Sequence, residues 1–399
     1  MFRFHKSMYI ITFLLMFCVN VVPLIAQTDQ ATDQQYLEAF HEKFSKIEKP
    51  VPLSAYATVE RYDELYMDIN FDSISNNQGG IAWGWSYRMM SLNEMYQSTK
   101  NIDYLKTNLK VTRALLANRD DKIEKKLWTG KAAPAWGSDK YAQRGRAIFA
   151  VHTGMILYPM LDCLKLAKKY PELQDIVKSD YPDMEKELLQ SLNYHDKQYR
   201  WGPGKNEGYY IGMDQEDAME NKPLPGNRLS AMGRALLYAW KLTGEEEYHK
   251  KALAIGHYVK NRFINSDDGA YYWPYWLSID PVEKFISKKD INGEDISHAS
   301  LTMMLLVELA DEKDLVNADD ITKLEKTVTQ GFARLNNGVL FGNITGNPKS
   351  NPSLAQIPAR WLILTPLAPK VYQRISEFYL KYVEKPGPLD LAMLIRYKN

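Results

Sequence analysis

The sequence predicts an all-α fold: an (α/α)-toroid of about six helical hairpins, possibly seven, forming one domain with long aromatic loops on one face. Three observations predict it. Segments apolar on every side alternate with segments carrying a single apolar stripe, which reads as inner and outer helices of a ring. The apolar members start near 81, 147, 229, 296 and 361, a spacing of 66, 82, 67 and 65 residues. Connections from inner to outer helix are short, whereas those from outer to inner are long and rich in Gly, Pro and aromatic residues. Antiparallel packing then gathers every long loop, and the N-terminal end of every inner helix, around one funnel.

Residues 1–26 read as a signal peptide: a basic start, an apolar run from Met8 to about Val22 and a small residue, Ala26, before polar QTDQ. Removing it places the chain in a periplasmic or secreted setting with no membrane contact, and leaves Cys163 as the single cysteine, with no internal disulfide. Residues 27–52 read as an N-terminal tail and leading helix, and 53–399 as the toroid domain. The hairpins are 81–99 with 102–119, 147–169 with 181–194, 229–243 with 245–263, 296–309 with 319–335, and 361–367 with 371–383. A sixth is expected from residues 36–72.

Charge narrows the partners. Lys plus Arg number 50 against 49 for Asp plus Glu, so no net field argues for nucleic acid or an anionic membrane. HExxH, CxxC, GxGxxG, P-loop and GxSxG patterns do not occur, which removes the sequence support for a zinc peptidase, a nucleotide enzyme or a serine hydrolase. No cofactor and no metal is expected.

The candidate site residues lie where inner helices begin and in the loops that feed them. Asn77 and Trp83 belong to NNQGGIAWGWSY, Arg146 precedes the second inner helix, Asn227 and Arg228 open the third, and Arg360 precedes the last. Trp136, Tyr210, Tyr272, Trp273 and Tyr275 are loop aromatics. Sugar rings stack on aromatic faces and guanidinium pairs with carboxylate, so this mixture suits a carboxylate-bearing polysaccharide or oligosaccharide. In Glu294-Asp295-Ile296-Ser297-His298, Asp295 or Ser297 reads as a helix cap and His298 projects toward the funnel. His152 lies deeper in AIFAVHTGMIL, where an imidazole is as readily a hydrogen-bonded core residue as a functional one. His195, His249 and His257 read as packing or surface residues.

The segments NNQGGIAWGWSY, GNRLSAMGRALLYAWKLTGEEEYHKKA and GAYYWPYW followed by EDISHAS resemble the α/α-toroid polysaccharide lyases of Bacteroidetes, of alginate or glucuronan lyase type, over residues 75–335. The resemblance implies β-elimination at a uronic acid. Asn227, Arg228 and His152 would then neutralise the carboxylate, His298 would act as base or neutraliser, and Tyr272 or Tyr275 as acid. Asn77, Trp83, Trp136, Arg146, Tyr210, Trp273, Glu294 and Arg360 would bind substrate. Three other readings remain open: a glycoside hydrolase acting on glucuronides with Glu294 or Asp295 as acid, a sugar epimerase pairing His152 with His298, and a non-catalytic glycan-binding protein.

Overall fold

The computed structural model describes residues 32–72, 74–213, 220–280, 286–311 and 315–398. The segment expected to be a signal peptide and the acidic residues Asp214, Glu216 and Asp217 lie outside the described residues. Among those residues no helix is long and apolar enough to cross a membrane.

The chain opens with α1 (Asp33–Lys43), capped by Thr32, whose side chain accepts from the Gln35 N–H while Gln35 reaches back to the Thr32 N–H. Next come α2 (Leu53–Tyr56) and α3 (Val59–Tyr66). A π-turn, Ile81–Trp85, runs into α4 (Ser86–Thr99), followed by α5 (Asp103–Ala117). Then follow α6 (Ala150–Ala167), α7 (Pro171–Asp180), α8 (Met184–Asn193), α9 (Gly226–Thr243) and α10 (Glu246–Lys260). The last third contains α11 (Ile296–Glu308), α12 (Ala318–Lys326), a 3-10 segment Pro358–Leu364, α13 (Lys370–Tyr382) and α14 (Pro388–Arg396).

The inner ring is α4, α6, α9, α11, the 3-10 segment and α14, each packed on the next, with α14 returning to α4. The chain is therefore an all-α toroid, as its periodicity predicts. Helix α6 shows why the inner members must be buried: of its residues only Lys165 is more than marginally exposed. Gly154 lets α6 and α9 approach, since a Cβ there would lie 2.5 Å from the Ala231 backbone. The outer helices keep one wet face, and their turns use left-handed residues, Lys100 after α4 and Gly244 after α9.

The sixth wall is a correction to the expectation. Residues 36–72 do not supply an inner helix. The inner member is the C-terminal α14, and α3 packs behind it. Arg61 donates to the Glu384 carbonyl at 2.6 Å, and the Tyr66 hydroxyl donates to that of Pro386. The ring is thus closed by joining its two ends.

Two antiparallel ribbons interrupt the long loops: β1 (Tyr199–Trp201) with β2 (Gly208–Tyr210), and β3 (Ile264–Asn265) with β4 (Tyr271–Tyr272). The first is fastened to α10 by Glu207, which accepts from both guanidinium nitrogens of fully buried Arg262 at 3.1 Å. At the end of the ring opposite the long loops, buried charges pair across inner helices. Arg234 makes two bonds to Glu308, at 2.8 and 2.9 Å, and Arg396 meets Glu94, while within α6 itself Lys165 lies 2.7 Å from Asp162. The two pairs between helices leave opposite charges matched where the inner elements meet.

Candidate functional site

The open end of the ring holds a cleft of about 490 Å3. Its lining comes from the first turns of five inner elements: Trp83 and Tyr87; Phe149, Val151 and His152; Asn227 and Arg228; Ser297, His298 and Leu301; Ile357 and Arg360. Tyr141 and Tyr275 add rings from the loops.

Helix α11 positions the most reactive group. Asp295 is its N-cap, and one carboxylate oxygen accepts from the N–H groups of Ser297 and His298, each at 3.0 Å. The other oxygen accepts from His298 Nδ1 at 2.5 Å. Burial opposes the charge on Asp295, but the bonds from His298 and from the two backbone N–H groups win, and its pKa falls below the usual carboxylate value. One residue therefore caps the helix and orients the imidazole. The Tyr275 ring stands edge-on to His298 at 5.3 Å between centroids.

Across the cleft His152 is buried among the rings of Trp83, Tyr141 and Phe149, at 5.5, 6.0 and 5.3 Å. Burial, reinforced by Arg228 and Lys140, pushes its pKa down to about 3, so the imidazole is neutral. Tyr141 holds a left-handed backbone, φ 74°, a conformation an aromatic residue adopts only when its surroundings impose it.

Two guanidiniums face the same space. Arg360 donates to the Tyr87 hydroxyl at 3.1 Å and to Ser297 Oγ at 2.9 Å, both neutral groups. Behind it the carboxyl of Asp390 is raised to about 6 by burial, against the pull of Arg360. Arg228 lies beside Asn227, whose buried amide oxygen has no partner among the described residues.

Of the residues expected at the site, the cleft brings together Trp83, His152, Asn227, Arg228, Tyr275, His298 and Arg360. Seven others lie elsewhere. Tyr272 is fully buried and donates to Asp268 at 2.8 Å, and burial raises its pKa further, so it is no acid for the cleft. Trp136 is a core residue donating to the Leu115 carbonyl at 2.7 Å, and Tyr210 packs against Tyr199. Trp273 stacks on Phe263 at 4.2 Å and donates to Glu294 at 2.7 Å. Glu294 itself is 2% exposed, with its pKa raised well above the usual value by burial. Arg146 is held by two bonds to Asp120, each 2.7 Å, and a third, 2.8 Å, to Asn77, whose side-chain oxygen also accepts from Lys125. Both are scaffold.

Sequence reasoning also missed cleft members. Tyr87 lies one turn after Trp83 in NNQGGIAWGWSY, on the same helix face, a spacing that could have revealed it. Asn76, adjacent to the expected Asn77, is buried behind the cleft with its amide nitrogen 3.4 Å from His152 Nδ1, and no signal in the sequence separates the two. Among the described residues no group of three His, Cys, Asp or Glu is placed to hold a metal ion.

Fold and cleft together define the class: an (α/α)-toroid with one sugar-sized, aromatic and cationic cleft at its open end. No protein-family model and no curated protein matches the chain. Among solved structures, an inactive variant of the α-1,6-mannanase GH76A of Salegentibacter sp. HEL1_6, in complex with α-1,6-mannotriose, is similar with a TM-score of 0.51. The identity is 12%, over 85% of this chain and 96% of that one. A further structure of that mannanase gives 0.46, at 12% identity over 85% and 96%. A D-mannose isomerase gives 0.48, at 12% over 82% and 84%. What is shared at these identities is the fold.

The lyase expectation is corrected at this point. The structure similar at 0.51 is that of an α-1,6-mannanase, a glycoside hydrolase and not a lyase. One of the two tyrosines expected to serve as acid is also locked outside the cleft.

Proposed function

We propose that this chain is an exported glycoside hydrolase acting on an oligosaccharide that carries a carboxylate, of glucuronide type. One observation carries the reading: the His298–Asp295 pair shares a cleft with two guanidiniums and a set of aromatic faces. The toroid it shares with a mannanase is consistent with this.

Hydrolysis adds water across the bond between the anomeric carbon and the leaving oxygen. In its doubly protonated form, His298 donates from Nε2 to the leaving oxygen as that bond breaks. It then takes back the proton of the water that attacks the anomeric carbon. Asp295 holds Nδ1 throughout and balances the transient charge. Arg228 and Arg360 pair with the sugar carboxylate, and Trp83, Tyr87, Tyr141 and Tyr275 supply the apolar walls on which a ring packs. The hydrolase reading thus changes in its residues. Glu294 is sealed beneath Trp273, and Asp295 acts through His298 rather than as the acid itself.

The test incubates the purified chain with uronate-bearing and neutral glycans. Reducing ends and ultraviolet absorbance at the band of a 4,5-unsaturated uronate are followed together. New reducing ends with flat absorbance are expected. No release from any uronate glycan would refute the proposal.

One observation favours a second reading. His152 and His298 line the same cleft, as paired imidazoles would in a sugar epimerase or isomerase. Solvent deuterium entering a monosaccharide without bond cleavage would establish it.

A further inference from the structure

We propose that His152 is a fixed hydrogen-bond donor and not a proton-transfer group: Asn76 locks its imidazole in the tautomer with hydrogen on Nε2, and that N–H is offered to a sugar oxygen on the cleft floor. The sugar contact rests on the function proposed above; the tautomer does not.

Asn76 is buried and its amide has one orientation. Its oxygen accepts from the Ala82 N–H at 3.1 Å, and its nitrogen donates to the Trp136 carbonyl at 2.9 Å. Turning the amide over would set oxygen against a carbonyl and NH2 against an N–H, losing both bonds. The same NH2 faces His152 Nδ1 at 3.4 Å. That is long for a hydrogen bond, yet its polarity is fixed, because a proton on Nδ1 would point at another N–H. The neutral ring therefore has its proton on Nε2. The charged groups acting on His152, Arg228 and Lys140, are both cations, and each opposes a second proton. The rings of Trp83, Tyr141 and Phe149 stand around the imidazole in edge-on contacts.

The two imidazoles of the cleft are thereby set in opposite states. His298 meets a carboxylate through Nδ1, so its Nε2 is the nitrogen able to accept. His152 meets an amide NH2 through Nδ1, so its Nε2 is a donor. A neutral donor of this kind polarises or positions an oxygen without exchanging its proton. Asn76 is the positioning residue behind it, and this assignment and the paired-histidine reading cannot both hold.

Long-range 1H–15N spectra of the imidazoles in the 15N-labelled protein decide the matter, with His152→Gln and His298→Gln supplying assignments. His152 should show the neutral Nε2–H pattern, unchanged from about pH 5 to 8, the range in which an ordinary histidine titrates. A titration of His152 within that range, or an Nδ1–H pattern, would overturn the proposal. Asn76→Asp replaces the donor facing Nδ1 by an acceptor and should move or add a proton there. An unchanged pattern in the folded variant would show that Asn76 does not set the tautomer. With D-glucuronate as probe, the His152 Nε2–H resonance should shift while its pattern persists. A response at His298 with none at His152 would refute the contact. If the pattern is as described and neither imidazole responds, the uronate reading falls and the tautomer stands.

Discussion

Glu294→Gln should stabilise the protein at neutral pH, although it removes a carboxylate from the stretch richest in candidate site residues. Glu294 is 2% exposed, and it accepts a bond from Trp273 Nε1 at 2.7 Å. Burial is the largest cause of its raised pKa, so the folded state holds a proton that the unfolded chain releases near its ordinary value of about 4.3. The sign follows. Below that value both states are protonated and no penalty exists. Above it the folded state binds more protons than the unfolded, and stability falls by up to about 1.4 kcal/mol per pH unit until the folded pKa is reached. The variant's advantage therefore grows from about pH 4.3 upward, by up to about 1.4 kcal/mol for each pH unit between the two values. Glutamine keeps the shape and the acceptor for Trp273 but cannot ionise. Urea unfolding of both proteins across this range should give curves that meet at the acid end and separate as pH rises, with the variant above. Parallel curves from about pH 4.5 to 7 would refute the claim that this carboxyl is held neutral.

Five further outcomes are expected. His298→Gln should lower turnover by about 10²–10⁴ with little change in folding, and Asp295→Asn, which keeps the cap, should lower turnover while stability moves by less than about 1 kcal/mol; activity on a cleaved glycan and a thermal melt check both. Arg360→Lys cannot reach Tyr87, Ser297 and a ligand together, so glycan affinity should fall about 10- to 100-fold by calorimetry, in line with a lost charged hydrogen bond. Gly154→Ala should cost about 1–3 kcal/mol in urea unfolding, because its Cβ meets the Ala231 backbone at 2.5 Å. Glu308→Ala leaves Arg234 buried without its partner and should cost about 3–5 kcal/mol by the same assay.

The ring was legible in the sequence because burial on every side leaves a plain signature. In AVHTGMILYPMLDCLKLA the two charged residues, Asp162 and Lys165, satisfy one another. Helix α14 escaped notice because PLDLAMLIR is only nine residues long, and its partner helix stands at the other end of the chain. Topology also sent His152, Asn227, Arg228, His298 and Arg360 to one place, since each sits in or next to the first turns of an inner element. The loop aromatics failed for a physical reason. A tryptophan or tyrosine beneath a long loop buries as much apolar area in the core as it would against a sugar, so Trp136, Tyr210, Tyr272 and Trp273 look like binding residues until their hydroxyl or indole partners are known. Asn76 and Asn77 are alike in sequence and differ only in which way the backbone turns them.

Joining the ring through its ends has a consequence for how the protein comes into being. The contact between Glu94 and Arg396 spans 302 residues, and that between Tyr66 and Pro386 spans 320. Contacts of this separation are made late, after the entropy of drawing the whole chain together has been lost. During synthesis the first five walls stand as an open horseshoe whose apolar lining is bare to solvent, a state suited to chaperones and prone to association. The final helix acts as a clasp. Until it docks, Asp390 is not behind Arg360, so the support of one cleft residue and the closure of the ring arrive in the same step.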